Sequence, residues 1–357
     1  MRLRALSPLL ATIILIAIVL SAGLVVYAML SGWMGTYSSM LRIQPTSVDL
    51  VVAGNKALLS VSVKNTGNKP LAGIVVTGYD DNGKPFKLAV PPAGPGQASG
   101  NTLVIPLGVS NIVLDASGNN NHGTIYGATW VDGKFGKALS FDGVDDYVSI
   151  SGSATWHQSI PLTISFWVNP ARFQSYDRPV TSGSNPSRAW SFYFRTGYTN
   201  IVFEFYDQNG NQRSLSGGTF SIANWHHVVA VLTNSSQKLY VNGILVSSAN
   251  LSITGFNPNA SPYFGIGGWG DGSGDRIAGL IDEVRIYNRA SDGGEVSFSN
   301  ANPGLPPTRG LVAWYPMDEG TNAPFSFTAG SSYALTITAY SLDGSVATQT
   351  LTIRATG

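Results

Sequence analysis

Apolar and polar residues alternate with period two through most of the chain, which predicts strands that each bury one face. Val48, Leu50 and Val52 open the series, followed by Leu59, Val61 and Val63, then Ile74 and Val76. Turn chemistry able to host positive φ separates them at Gly54-Asn55, Asn65 to Asn68 and Asp80 to Gly83. Asn101 to Pro106 reads as a further strand. Near the far end Tyr333, Leu335, Ile337 and Ala339 share a face, a turn follows at Leu342 to Ser345, and Val346 to Arg354 supplies a partner strand. Trp190, Phe192 and Phe194 alternate in the same way and are expected in a core. One stretch breaks the pattern. Leu9 to Leu30, LLATIILIAIVLSAGLVVYAML, is apolar on every side, so it predicts a helix over 6–40 that belongs in lipid or in a helical core. At ~1.5 Å rise per residue it would be about 50 Å long, enough to span a bilayer. Arg2 and Arg4 ahead of it favour a cytoplasmic start and an exported remainder.

Composition narrows the chemistry. The 357 residues carry 21 Lys+Arg and 20 Asp+Glu, a net charge of +1, which leaves no basic field for nucleic acid. Cys is absent, which excludes disulfides, thiolate catalysis, and zinc-thiolate and iron–sulfur sites. Charged residues make up 11% of the chain, against about 25% in ordinary soluble domains, so Ser, Thr, Asn and Gly must keep the surface wet. The length predicts at least two cores.

The junction Arg4-Ala5-Leu6-Ser7-Pro8 resembles the class III signal of archaeal type IV pilins, a basic and a small residue directly before the apolar helix. The resemblance implies a processing site at Arg4, Ala5 and Leu6, where a prepilin peptidase removes 1–5 and leaves the helix. It further implies residence in the membrane before assembly, then polymerisation of copies of this chain through their helices by the pilus assembly machinery. Bacterial relatives carry Glu where this chain has Leu10, and archaeal pilins commonly lack it. KALLSVSVKNTGNKPL, Lys56 to Leu71, resembles the early strands of pilin β-domains, and Phe327 to Gly357 resembles their closing hairpin. Residues 41–110 hold too few strands to close a sandwich, so the expected unit is one Ig-like β-sandwich made of 41–110 and 322–357, interrupted by an insertion. A simple signal anchor holding a monomeric surface lectin on the membrane fits the hydropathy equally well.

The insertion, 111–321, carries GKFGKALSFDGVDDYVSI (Gly133 to Ile150), LTISFWVNP (Leu162 to Pro170), NWHHVVAVLTNSSQKLYVNGILV (Asn224 to Val246) and GLIDEVRIYNRA (Gly279 to Ala290). These resemble, in order, the signatures of laminin G-like (LamG), concanavalin A-type jelly rolls. Family members usually open with a strand like GLVAWYPMDEG followed at once by a segment like VLDASGNNNHGT. Here the second stands first, at Val113 to Thr124, and the first stands last, at Gly310 to Gly320. The domain therefore resembles a circularly permuted jelly roll, its old termini joined by Ser297 to Arg309, a Pro-, Gly-, Ser- and Asn-rich stretch read as a linker. The expected fold class is mainly β, with one long N-terminal hydrophobic helix and an Ig-like pilin sandwich interrupted by the LamG jelly roll.

Catalysis finds little footing. Asp282 and Glu283 are adjacent on a strand and are expected to face opposite ways, and the four Glu residues, 204, 283, 295 and 319, form no glycosidase-like run. His226 and His227 match a family strand where such rings pack. A glycan-degrading jelly roll is the weakest reading, and no enzyme is expected. Related jelly rolls often hold a structural Ca²⁺, for which Asp115, Asn119, Asp271, Ser273, Asp275 and Asp282 are the candidate ligands. The same residues suit Asx turns, and both readings stand. Trp269, Tyr176 and Tyr198 are loop aromatics able to stack on sugar rings. Asn234, Asn250 and Asn259 head glycosylation sequons. Together these predict an extracellular or cell-surface filament subunit that displays an adhesion or carbohydrate-binding domain toward a glycan or cell-surface ligand.

Overall fold

The computed structural model describes residues 40–150 and 157–357. The processing junction Arg4-Ala5-Leu6 and the apolar stretch expected to be helical lie outside these residues, except for Met40, which is exposed and in no helix. Among the described residues there is one helix, Gly293–Ala301, and no helix is long and apolar enough to cross a membrane.

Two small sheets face each other at one end of the molecule. Ile43–Ala53, Lys56–Asn65 and Ala98–Pro106 form the first, and the second runs Val346–Arg354, Ser332–Tyr340, Gly73–Tyr79 and Pro85–Val90. Strands from both ends of the sequence thus share a sheet, with Leu335 opposite Gly78 and Tyr340 opposite Gly73. The period-two pattern explains the packing: Leu59, Val61 and Val63 from one sheet meet Ile74, Val76, Leu335 and Ile337 from the other in a single buried core. Each such side chain contributes about 1.5–3 kcal/mol.

The chain between them builds two larger sheets packed face to face. One runs Gln212–Gly217, Ile201–Tyr206, Arg188–Phe194, Val180–Gly183, Phe264–Ile266, Tyr147–Ile150, Gly123–Tyr126 and Ile112–Val113. The other runs Ile244–Asn250, Ser236–Val241, His226–Leu232, Leu162–Pro170, Ala278–Tyr287, Lys137–Asp142 and Thr129–Asp132, with Leu311–Tyr315 also pairing Ala278–Tyr287. Trp190, Phe192 and Phe194 lie fully buried between the sheets, among Phe166, Phe203, Phe205 and Phe264.

The outgoing and returning segments run side by side. The Asn111 N–H donates to the Asn322 carbonyl at 3.3 Å and that of Gly108 to Phe325 at 3.4 Å. With neighbouring ends, so long an excursion adds little loop-closure cost. A third cluster joins the parts: Val75, Ala89 and Tyr340 on the outer face of the four-stranded sheet pack on Tyr287, Phe298, Leu311 and Trp314.

Ser297 to Arg309 is no free linker. Asp292 caps the helix, its carboxylate accepting from the Glu295 N–H while Glu295 accepts from the Asp292 N–H, so the first five residues continue a helix. Beyond it the chain is strapped to the small sandwich, with Thr308 Oγ1 donating to the Val90 carbonyl at 2.7 Å and its N–H to Ala72 at 2.9 Å.

Candidate functional site

Alternation that sends Trp190, Phe192 and Phe194 inward sends Ser191 and Tyr193 to the outer face of the same sheet. On the next strand Ile201, Phe203 and Phe205 point in, leaving Glu204 and Tyr206 outside. Register sets Glu204 opposite Ser191 on one side and Ser214 on the other. Loops close the rim, and a cavity of about 390 Å³ results, lined by Tyr176, Arg178, Asn185, Arg188, Tyr193, Glu204, Tyr206, Gln212 and Asp275.

A charge network forms its floor. Arg178 is only 1% exposed; its Nη1 donates to Glu204 Oε1 at 2.9 Å and to Ser191 Oγ, and its Nε to Asp275 Oδ2 at 3.0 Å. Arg188 Nη1 reaches the same Glu204 oxygen at 3.2 Å, and Gln212 Nε2 donates to Oε2 at 2.7 Å. A guanidinium this buried is tolerable only when so fully paired. Aromatic faces complete the setting: the Arg178 guanidinium lies 4.7 Å from the Trp269 ring centre, 4.9 Å from Tyr193 and 5.3 Å from Tyr176, and that of Arg188 lies 5.3 Å from Tyr206. Burial, with the Glu204 charge behind it, raises the Tyr206 hydroxyl pKa, so the phenol stays a neutral donor. Two arginines against two carboxylates leave the cavity without net charge.

The three aromatic candidates separate. Tyr176 is 52% exposed and lines the cavity, whereas Tyr198, 59% exposed, does not line it. Trp269 corrects the expectation of an exposed stacking ring. It is fully buried, and its Nε1 donates to Asp275 Oδ2 at 2.9 Å. Gly268 and Gly270 leave room for the loop to lie close against Arg276 and Phe264, which turns the indole inward beneath Arg178.

The proposed Ca²⁺ ligands do not converge as a carboxylate cluster among the described residues. Asp115 is buried and its oxygens accept from the N–H groups of Ser117, Asn121 and Trp314, a turn-forming role. The Asn119 amide donates to Ser117 Oγ and the Val312 carbonyl. Asp271 accepts from the N–H and hydroxyl of Ser273, and Asp275 belongs to the cavity. Asp282 accepts from the Phe135 N–H, and burial, then Glu283, pushes its pKa up to about 9. Sequence reasoning missed Asp142, Asp145 and Asp146, whose carboxylates come within 4.8 Å of one another. The run D-G-V-D-D was the available signal. An all-oxygen set of this kind suits Ca²⁺, with carbonyls or water completing the shell.

Asp282 and Glu283 are also less separate than strand alternation predicts. A register shift falls opposite Ser165 and Trp167, and Glu283 takes φ +54°, so both side chains stay buried. Glu283 pairs with Arg285 at 2.8 Å and accepts from Trp314 Nε1 at 2.7 Å. His227 bonds Ser165 Oγ at 2.9 Å and stacks on Trp167, and burial lowers its pKa to about 3. Asn234, Asn250 and Asn259 are all exposed.

A family model described as the Concanavalin A-like lectin/glucanases superfamily matches residues 142–297, the span that contains every residue lining the cavity. The chain therefore carries a LamG/concanavalin A-like jelly-roll domain. Among solved structures it is similar to the binding domain of Paraclostridial Mosquitocidal Protein 1, at 18% identity and TM-score 0.43 over 54% of this chain and 51% of that one. It is also similar to domain 4 of AbnA, a GH43 extracellular arabinanase from Geobacillus stearothermophilus, at 20% identity and TM-score 0.41 over 53% and 97%. A SAP-like pentraxin from Limulus polyphemus matches at 13% identity and TM-score 0.39 over 61% and 94%. The chain spans about half the length of the first of these. No curated protein matches the sequence.

Proposed function

We propose that this chain is a surface adhesin whose jelly roll holds carbohydrate in the cavity between Tyr176, Arg188 and Tyr206. The observation that carries the reading is the cavity's composition: no net charge, ring faces suited to the C–H faces of sugars, and fixed donors and acceptors suited to hydroxyls. Binding is favoured over hydrolysis because the cavity's two carboxylates, Glu204 and Asp275, are both engaged by Arg178 as structural ion pairs. The finer reading is a subunit of an extracellular archaeal type IV pilus. Its support is sequence alone, the Arg4-Ala5-Leu6 junction and the apolar run behind it, by which copies would pack helix on helix.

Two measurements test these parts separately. A glycan array probed with the full-length protein in detergent should show binding that falls at least tenfold in Arg188→Ala and Tyr206→Ala; binding unaffected by both would overturn the cavity assignment. Shear fractions from the native host should contain thin filaments whose chain begins at Leu6. Membrane-bound protein with Met1 intact would replace the filament by an anchored lectin.

A further inference from the structure

A second cavity of about 260 Å³ adjoins the first, lined by Arg172, Gln174, Ser175 and Arg276 among others, and the two share the residues Tyr176 and Asp275. Those two shared residues are both non-glycine residues in the left-handed region, at φ +68° and +56°. Asp tolerates that region, but a bulky Tyr there is a genuine outlier of the kind that persists only when its surroundings impose it, and such outliers gather at ligand clamps. The surroundings do impose it. The Tyr176 N–H donates to the Phe194 carbonyl and the Phe194 N–H to Asp177, each at 3.0 Å, while the ring tilts on Tyr193 at 5.6 Å. Asp275 is held by Trp269 and Arg178. The backbone is thus bent at two places to stand a phenol ring and a carboxylate on the ridge between the cavities.

Charge restricts what fits. Arg172 and Arg276 in the second cavity face Asp177 and Asp275, but Asp275 is shared with the first, so the two cavities together set four arginines against three carboxylates. Beyond the second cavity Asp145 and Asp271 act on Arg276, and Asp142 and Asp146 stand beside Asp145, an acidic rim that repels anions. The smaller cavity alone falls below the roughly 300–1,000 Å³ of ordinary ligand sites, whereas the two joined fall inside that range.

Resting on the carbohydrate reading above, we propose that the two cavities are consecutive subsites for an uncharged oligosaccharide of two or more units, with Tyr176 as the platform where one unit passes to the next. Titration calorimetry on the full-length protein in detergent tests it, with cello-, manno- and arabino-oligosaccharides of one to five units and galacturonate oligomers of the same lengths. In the series that binds, affinity should rise at least tenfold from one unit to two or three and then level off. Gln174→Trp, an exposed position that fills the second cavity, should cancel that gain, Tyr176→Ala should weaken every length, and the galacturonates should bind at least tenfold more weakly. Equal affinity at all lengths with a silent Gln174→Trp would overturn the second subsite and leave the carbohydrate reading standing. Tighter binding of the galacturonates would overturn the neutral class. No binding by any sugar would remove both readings together.

Discussion

The two sheets of the jelly roll are built from one alternating pattern, yet their outer faces meet opposite surroundings. One is sealed: Tyr287 and Trp314 pack under Val75, Ala89 and Tyr340 of the small sandwich, and Val229, Val231 and Tyr240 pack under Val296 of the helix. The other leaves Tyr176, Arg188 and Tyr206 around an open cavity. Beneath the seal, burial decides protonation, pushing Asp282 up to about 9 and Tyr287 up to about 12 and His227 down to about 3. On the open face charge is kept and matched, with Glu204 holding two arginines. The first face is a structural joint and the second carries the proposed binding cavity, and what distinguishes them is the neighbour above the sheet rather than the strand pattern.

The largest effect that would sharpen the contrast is on the open face. Arg178→Met removes the cation shared by Glu204 and Asp275; Glu204 keeps Arg188 and Gln212 and Asp275 keeps Trp269, so the loss of the charge-assisted bonds should cost about 1.5–3 kcal/mol in denaturant unfolding. A loss under ~1 kcal/mol would show that the network is not held as described. The sealed face should respond through pH instead. Because the folded pKa of Asp282 lies near 9 against an ordinary 3.8, the folded state binds the extra proton between these values, and stability falls as pH climbs through that window. Asp282→Asn keeps the neutral form, so it should match the parent at pH 4 and exceed it at pH 8 by about 1 kcal/mol or more. A variant weaker at pH 8 would mean the carboxylate is ionised and needed. His227 acts on the other flank: its folded pKa lies below the ordinary 6.5, so its contribution is lost as pH drops from there toward 3.

Smaller effects follow at the acidic turn and beyond it. Burial and the charges of Asp142 and Asp145 raise the Asp146 pKa, so in calcium-free buffer Asp145→Asn should relieve repulsion and stabilise the protein by ~0.5 kcal/mol, read as a higher Tm. A lower Tm would contradict that electrostatic picture. Tyr198→Ala, exposed and outside the first cavity, should change stability by less than about 0.5 kcal/mol and leave glycan binding intact. A binding loss there would move the recognition surface toward the loop after Arg195.

What the sequence disclosed follows the same division. Period-two alternation located Trp190, Phe192 and Phe194 in the core, since a strand's inward face is a local property. It misplaced Trp269, because whether a glycine-flanked indole turns in or out depends on the Arg178 guanidinium, 91 positions away in the chain, that it underlies. Arg178, Arg188 and Gln212 went unnoticed, and Glu204 was weighed only as a catalytic carboxylate, because cross-strand register brings them together, as where Ser191 meets Glu204. A lone Glu in the apolar run IVFEFY was the one local signal. Likewise the helix Gly293–Ala301 was marked only by Asp292 and Glu295 at capping-box spacing within a stretch otherwise coloured by turn formers.

The most direct measurement of the central claim is a crystal structure of the protein with an oligosaccharide selected from the glycan array. The account predicts sugar density on the exposed face of Tyr176, with hydroxyls bonded to residues of the cavity that holds Arg188, Tyr206 and Gln212. Density on the opposite sheet or on loops remote from Tyr176, with that cavity holding only water, would contradict it.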